Sequence, residues 1–167
     1  MLAQGVDHPA GAHRTEHLVR STLLILLLSL SSWGAAAAEF GTKEEAVAMV
    51  KRVQAKFKAD GAEATFKSVS DKSDPDFHDR DLYPFVYDMA GVNVAHGARP
   101  ALIGKNLLTL KDQDGKFLIR DMRDLVKAKG SGWYDYKWPN PITNKIEDKA
   151  SYVERMGDYW VGVGVYR

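Results

Sequence analysis

The sequence predicts an α+β domain, with helices packed on one antiparallel sheet. Three observations predict it. An amphipathic helical stretch with its own start signal opens at residue 42. A two-strand pattern divided by Ala90-Gly91 occupies the middle of the chain. Residues 132–166 then hold three aromatic, β-branched runs, the composition of consecutive strands.

Thr42-Lys43-Glu44-Glu45 is a capping box, in which the Thr42 hydroxyl accepts from the Glu45 N–H and the Glu45 carboxylate reaches back. Ala46, Val50, Val53 and Phe57 recur at helical spacing, with Lys51, Arg52 and Lys56 on the outer face. Gly61 supplies a stop, and a shorter helical segment is expected over residues 62–70. Residues 70–80 are polar, contain Pro75 and read as a loop. The loop carries Asp71, Asp74, Asp76, His78 and Asp79 but lacks the spacing and central glycine of a calcium loop, so a solvated acidic loop is the plainer reading.

Residues 82–89 and 92–96 read as two strands joined by a tight hairpin at Ala90-Gly91. Alternation puts Tyr83, Phe85 and Tyr87 on one face and Pro84, Val86 and Asp88 on the other. Pro84 cannot donate to a ladder, which favours an edge or irregular position. After the polar turn Asp112-Gln113-Asp114-Gly115, Phe117, Leu118, Met122, Leu125 and Val126 follow at helical spacing, and Gly130 ends the run. Pro139-Asn140-Pro141 and Met156-Gly157 divide the three strands that come last.

The N-terminus carries a targeting pattern. Arg14 and Arg20 precede a short apolar run from Ser21 to Leu30, and Ala35-Ala36-Ala37-Ala38 follows. This is a signal-peptide pattern with cleavage expected near Ala38, which leaves residues 39–167 as one domain in the periplasm or outside the cell. The apolar run falls short of the roughly 20 residues of a spanning helix, so a retained membrane anchor is the lesser reading.

Composition excludes several function classes. A net charge of +1 leaves no basic surplus for neutralising nucleic-acid phosphates. The absence of cysteine excludes disulfides, thiol catalysis and thiolate metal sites. There is no Gly-x-Ser-x-Gly elbow, no His-Glu-x-x-His and no phosphate-binding glycine loop, and Gly162-Val163-Gly164 lies within a strand pattern. No enzyme, cofactor or metal is therefore expected.

Five motifs occur in an order that resembles the type 2 single Cache domain, a bacterial extracytoplasmic sensor family. They are the N-terminal helix, Tyr83 to His96 as the central hairpin, Leu102-Ile103-Gly104-Lys105-Asn106, the Asp112 to Gly115 turn, and the aromatic strands to Tyr166. The resemblance implies a PAS-like five-stranded sheet with a long N-terminal helix and a connecting helix. It also implies binding of small organic ligands, commonly short carboxylates, in signal transduction or chemotaxis. Receptors of the family continue into a second membrane helix and a signalling module, whereas this sequence stops at Arg167, so the sensor domain alone is expected. A membrane receptor or histidine kinase is the implied partner, and docking on one without a ligand is the alternative role.

The candidate ligand-binding residues are Tyr87, His96, Arg99, Trp133, Tyr136, Trp138 and Lys149. Arg99 is a carboxylate clamp in type, and His96 adds a donor. The family usually has proline directly after this histidine, whereas here Gly97-Ala98 intervenes before Arg99-Pro100. Tyr87 or Tyr83 needs a partner for its hydroxyl if buried. Trp133, Tyr136 and Trp138 are wall candidates. Lys149 lies inside a strand, where burial demands a negative partner: Asp88, Asp135 or a ligand carboxylate. Arg120 and Asp121 read as surface charges.

Overall fold

The computed structural model describes residues 40–167. The predicted export signal and its cleavage point near Ala38 lie outside the described residues. Among the described residues no helix is long and apolar enough to cross a membrane.

Helix α1 (Lys43–Ser70) starts on the capping box, with Thr42 Oγ1 accepting from Glu45 N at 3.2 Å and Glu45 Oε2 accepting from Thr42 N at 2.8 Å. Gly61, at φ +81°, breaks it into two helical segments, as the sequence predicts. Strands β1 (Pro84–Asp88) and β2 (Asn93–His96) form the hairpin, turned by Gly91 at φ +85°. A short 3-10 turn at Pro100–Leu102 follows, then helix α2 (Leu118–Lys129), which ends at Gly130 with φ +78°. Strands β3 (Ser131–Pro139), β4 (Ile146–Met156) and β5 (Tyr159–Tyr166) complete the chain.

All five strands join one antiparallel sheet in the order β2-β1-β5-β4-β3. The C-terminal strand therefore inserts between the early hairpin and the late meander. This places β1 inside the sheet, which excludes the edge alternative of the edge or irregular position that Pro84 favours. The proline is tolerated because it is the first residue of the strand, where its missing N–H costs least.

Each face of the sheet buries a separate cluster. Helix α1 covers one face, where Met49, Val50 and Val53 meet Val86, Val161 and Val163. Helix α2 lies over the other, where Leu118, Ile119 and Met122 meet Phe85, Tyr87, Tyr136 and Trp160. Strand alternation explains the division, since successive side chains point to opposite faces. Phe85 and Tyr87 share the α2 face and Val86 turns to α1, as the alternation predicts.

The α2 face has a hollow made by Gly162 and Gly164 of β5. A Cβ at Gly162 would collide with the Phe85 ring, and one at Gly164 with Ser151 Oγ and Lys149 Cε. The two glycines thus give the Phe85 ring and the Lys149 stem their places. Nothing about them concerns a dinucleotide.

Candidate functional site

A pocket opens between α2 and this face of the sheet. Tyr87 of β1, His96 of β2, and Tyr136 and Trp138 of β3 line it, with Phe85 at its base. Helix α2 adds Leu118, Ile119 and Met122. No lysine, arginine or carboxylate belongs to this wall. The cavity is about 10 Å³, the room that one water molecule needs. Any larger occupant requires side chains to move, and the unbranched Met122 is the most adaptable of them.

His96 is fixed by its own turn. Its Nδ1 accepts from Ala98 N at 3.2 Å and Arg99 N at 3.0 Å, so the ring proton sits on Nε2. Its ring stacks on Tyr83, with centroids 5.5 Å apart. Burial first, then the positive fields of Lys149 and Arg99, depress its pKa to about 3. His96 is thus a neutral donor at physiological pH. The inserted Gly97-Ala98 builds this geometry: Gly97 N donates to Pro84 O at 2.9 Å, and Ala98 N is one of the two donors to Nδ1.

Tyr136 is also buried, and its hydroxyl bonds Ser151 Oγ at 3.0 Å. Burial raises its pKa well above the ordinary value. Tyr87 stacks on Trp160, with centroids 4.9 Å apart. Its two cross-strand neighbours, Asn93 and Trp160, carry buried polar atoms without a partner among the described residues: Asn93 Oδ1 and Trp160 Nε1. Burial raises the Tyr87 pKa, and the Asn93 amide opposes the shift.

Lys149 stands on the same face but behind the wall. It is 1% exposed and pairs in register with Tyr136 on one side and Tyr166 on the other. Its Nζ donates to the Tyr83 hydroxyl at 2.8 Å and the Tyr166 hydroxyl at 3.2 Å. Neither of the two side-chain carboxylates expected from sequence is there. Asp88 caps the β1–β2 turn by accepting from Val92 N, and Asp135 pairs with Arg167. A buried carboxylate nearby, Asp81, holds Gly41 N at 2.6 Å and Tyr166 N at 3.4 Å instead. Burial drives the Lys149 pKa well below its ordinary value, with Asp81 opposing and Arg99 adding to the shift.

The remaining candidates separate. The Arg99 side chain is exposed, and its guanidinium lies 5.4 Å over the Trp138 ring. It borders a polar cleft with Lys72, Asn140 and Asn144, next to the pocket. Trp133 points to the α1 face, where it packs on Tyr152 beneath the Lys43 ammonium. Its assignment to the same wall as Tyr136 is corrected by strand alternation: odd and even positions of β3 cannot share a face. Asp121, read as a surface charge, accepts from the Tyr134 hydroxyl at 2.9 Å. In the acidic loop, Asp71 and Asp74 cap the local N–H groups of Ser73 and Asp76. Among the described residues no group of three acidic or histidine side chains could hold a metal ion.

The sequence reasoning missed Tyr166, Asp81 and the three α2 residues on the wall. Tyr166 ends an apolar strand and Asp81 sits in a loop, so neither carries a local signal. Leu118, Ile119 and Met122 carried one, the apolar stripe of α2, but it read as core packing.

Comparison with known proteins shows the family. The Cache domain family model dCache_2 matches residues 42–167. A sensor histidine kinase from Rhizobium johnstonii, MctS, is 42% identical over 90 residues, covering 52% of this chain and 19% of the kinase. The methyl-accepting chemotaxis protein McpP of Pseudomonas putida is 30% identical over 91 residues, covering 53% of this chain and 17% of its own length. The chain thus spans under a fifth of these relatives. A crystal structure of a methyl-accepting chemotaxis protein from Vibrio parahaemolyticus superposes with a TM-score of 0.64 at 30% identity, covering 74% of this chain and 87% of that one. A Cache chemosensory domain studied for carboxylic acid recognition superposes with a TM-score of 0.58 at 27% identity, covering 74% and 86%. Cache domains are extracytoplasmic sensor domains, and these two relatives are a sensor histidine kinase and a methyl-accepting chemotaxis protein. With a two-helix, five-stranded fold and a family match over nearly all the described residues, the chain belongs to the Cache domain family.

Proposed function

We propose that the chain is an extracytoplasmic sensor domain that binds a short organic acid in the α2-face pocket and reports it to a membrane receptor or histidine kinase. The observation that carries this reading is the wall itself. It is mostly apolar and aromatic, and the His96 Nε2–H is a fixed, buried donor on it. Such a wall suits a ligand with a short apolar body and one polar head. The likeness to a Cache domain known for carboxylic acid recognition supports the same class. Tyr87, His96, Tyr136 and Trp138 contact the ligand, Lys149 stands behind them, and Arg99 works at the Trp138 end. The reading is one of binding without catalysis, which the names of the sensor kinase and chemotaxis relatives support.

The small cavity favours a second reading, a docking domain without a ligand of its own. A thermal-shift screen of short organic acids and amines separates the two. A ligand at a hundred times its Kd stabilises the fold by about 2.7 kcal/mol. If no acid raises the melting temperature, the docking reading replaces the sensor reading.

A further inference from the structure

We propose that the pocket takes up a short monocarboxylate together with one proton, and that Lys149 receives the proton. This rests on the sensor reading and adds a stoichiometry and a selectivity to it.

The argument starts from charge. The wall has no lysine or arginine, so a carboxylate leaving water for this pocket meets no formal cation there. An uncompensated buried charge is costly, and a proton is the simplest compensation. Among the described residues only two buried side chains are basic, His96 and Lys149.

His96 is barred by geometry. Protonation would place a hydrogen on Nδ1, where the Ala98 and Arg99 N–H groups already point, 3.2 and 3.0 Å away. Two donors facing a third is a repulsive arrangement that the short turn cannot relieve without unfolding.

Without a ligand, the hydrogen bonds of Lys149 suit the neutral amine, which leaves it free to take up a proton. The Tyr166 hydroxyl donates to Pro139 O at 2.8 Å, so Tyr83 donates its own proton to Tyr166 across 3.0 Å. Both hydroxyl oxygens then offer lone pairs to Nζ. A neutral amine has two hydrogens, and the two oxygens take both. A third hydrogen, present only in the ammonium, finds no acceptor in hydrogen-bond reach among the described residues.

The groups around Lys149 balance without neutralising an ammonium. Asp81 favours its charge but spends both oxygens on Gly41 N and Tyr166 N, while Arg99 opposes it. Tyr83, Tyr136 and Tyr166 stay protonated, and His96 stays neutral. Helix α2 sends only apolar side chains to this pocket. The Tyr83 and Tyr166 rings lie 4.0 and 4.3 Å from Nζ. Cation–π attraction of about 2 kcal/mol does not match a desolvation cost of several kcal/mol.

A bound carboxylate changes the balance. Lys149 is the register neighbour of Tyr136 on the wall, and it holds Tyr83, whose ring stacks on His96. One side-chain layer then separates the anion from Nζ, and in a low-dielectric interior opposite charges attract strongly across it. The proton comes from solvent: the acid anion and one proton enter, one N–H bond forms on Nζ, and the bound pair is neutral. A dicarboxylate brings two charges for one proton acceptor and is excluded.

Isothermal titration calorimetry of propionate and succinate, at pH 8 in Tris and in phosphate, tests this. The expected result is propionate binding with an enthalpy that differs between buffers by about one proton's ionisation enthalpy. Its affinity is expected to fall by up to tenfold per pH unit as pH rises, and succinate should bind at least tenfold more weakly. In Lys149→Met the buffer dependence disappears, and in Lys149→Arg binding is independent of pH. Buffer-independent binding by the parent protein overturns proton uptake and leaves the sensor reading standing. Uptake that persists in Lys149→Met overturns the assignment to Lys149. No binding by any short acid overturns the sensor reading and this inference with it.

Discussion

Gly164 leaves the space that the Lys149 stem occupies: a Cβ at 164 would overlap Lys149 Cε and the Ser151 hydroxyl. The glycine on β5 and the buried lysine on β4 are therefore one structural unit. Gly164→Ala is expected to destabilise the domain by about 1–3 kcal/mol, the cost of overpacking a filled core. Combining it with Lys149→Ala should recover part of that loss. Denaturant titration of the two single variants and the double variant checks this, and strict additivity would contradict the steric account.

Acid should destabilise the fold through His96 before the carboxylates titrate. Its folded pKa, about 3, lies below the ordinary 6.5. A depressed folded pKa means stability that is complete above 6.5 and lost as pH falls toward 3. The His96 share is up to about 1.4 kcal/mol per pH unit. Denaturation midpoints at pH 6.5 and 5.0 should differ for the parent protein and differ less for His96→Gln.

Lys149 predicts a slope in the alkaline range. Its folded pKa is depressed from 10.5, so its contribution is complete above 10.5 and lost as pH falls toward the folded value. Between pH 8 and 9.5 the parent should gain stability with pH. Lys149→Met should show a flatter profile and be no less stable at pH 8, because the parent amine must give up its proton to be buried there. A Lys149→Met variant with an unchanged slope would show that the buried amine is not what titrates.

Tyr166→Phe removes an acceptor from Lys149 and the donor to Pro139 O. Leaving buried polar groups unpaired costs about 1–3 kcal/mol each. The expected loss is in that range for Tyr166→Phe. It should shrink when Lys149→Met is added, because the amine no longer needs the hydroxyl. A double-mutant cycle by chemical denaturation measures the coupling.

Arg99 and Lys149 should differ in how they act on an acidic ligand. Arg99 is exposed beside Trp138, so Arg99→Met should slow association and weaken its salt dependence, with a few-fold loss of affinity. Lys149→Met should cost about 2–5 kcal/mol, mainly as faster dissociation, as for truncating a buried charge pair. Stopped-flow fluorescence with Trp138 as reporter separates the rates.

Local chemistry determined what the sequence shows by itself. The Thr42–Glu45 capping box, the Gly61 break, the Gly91 turn and the Gly130 stop are all set by neighbouring residues, and each is where the sequence places it. Periodicity likewise set the faces of α1, α2 and β1. The order of family motifs, read from sequence, reached the Cache family. Only the tertiary structure decided which strands are neighbours. Inserting β5 between β1 and β4 puts Tyr166 beside Lys149 and makes Tyr83, far away in the chain, its second partner. The two tyrosines replace the carboxylate that a buried lysine suggests, and no spacing in the sequence encodes that exchange. Alternation along β3 was legible, but which face carries the pocket was not, and so Trp133 and Tyr136 fell on opposite sides of the sheet. A site built across strands is fixed by long-range pairing, and residues local in sequence hold no information about that pairing until the sheet has formed.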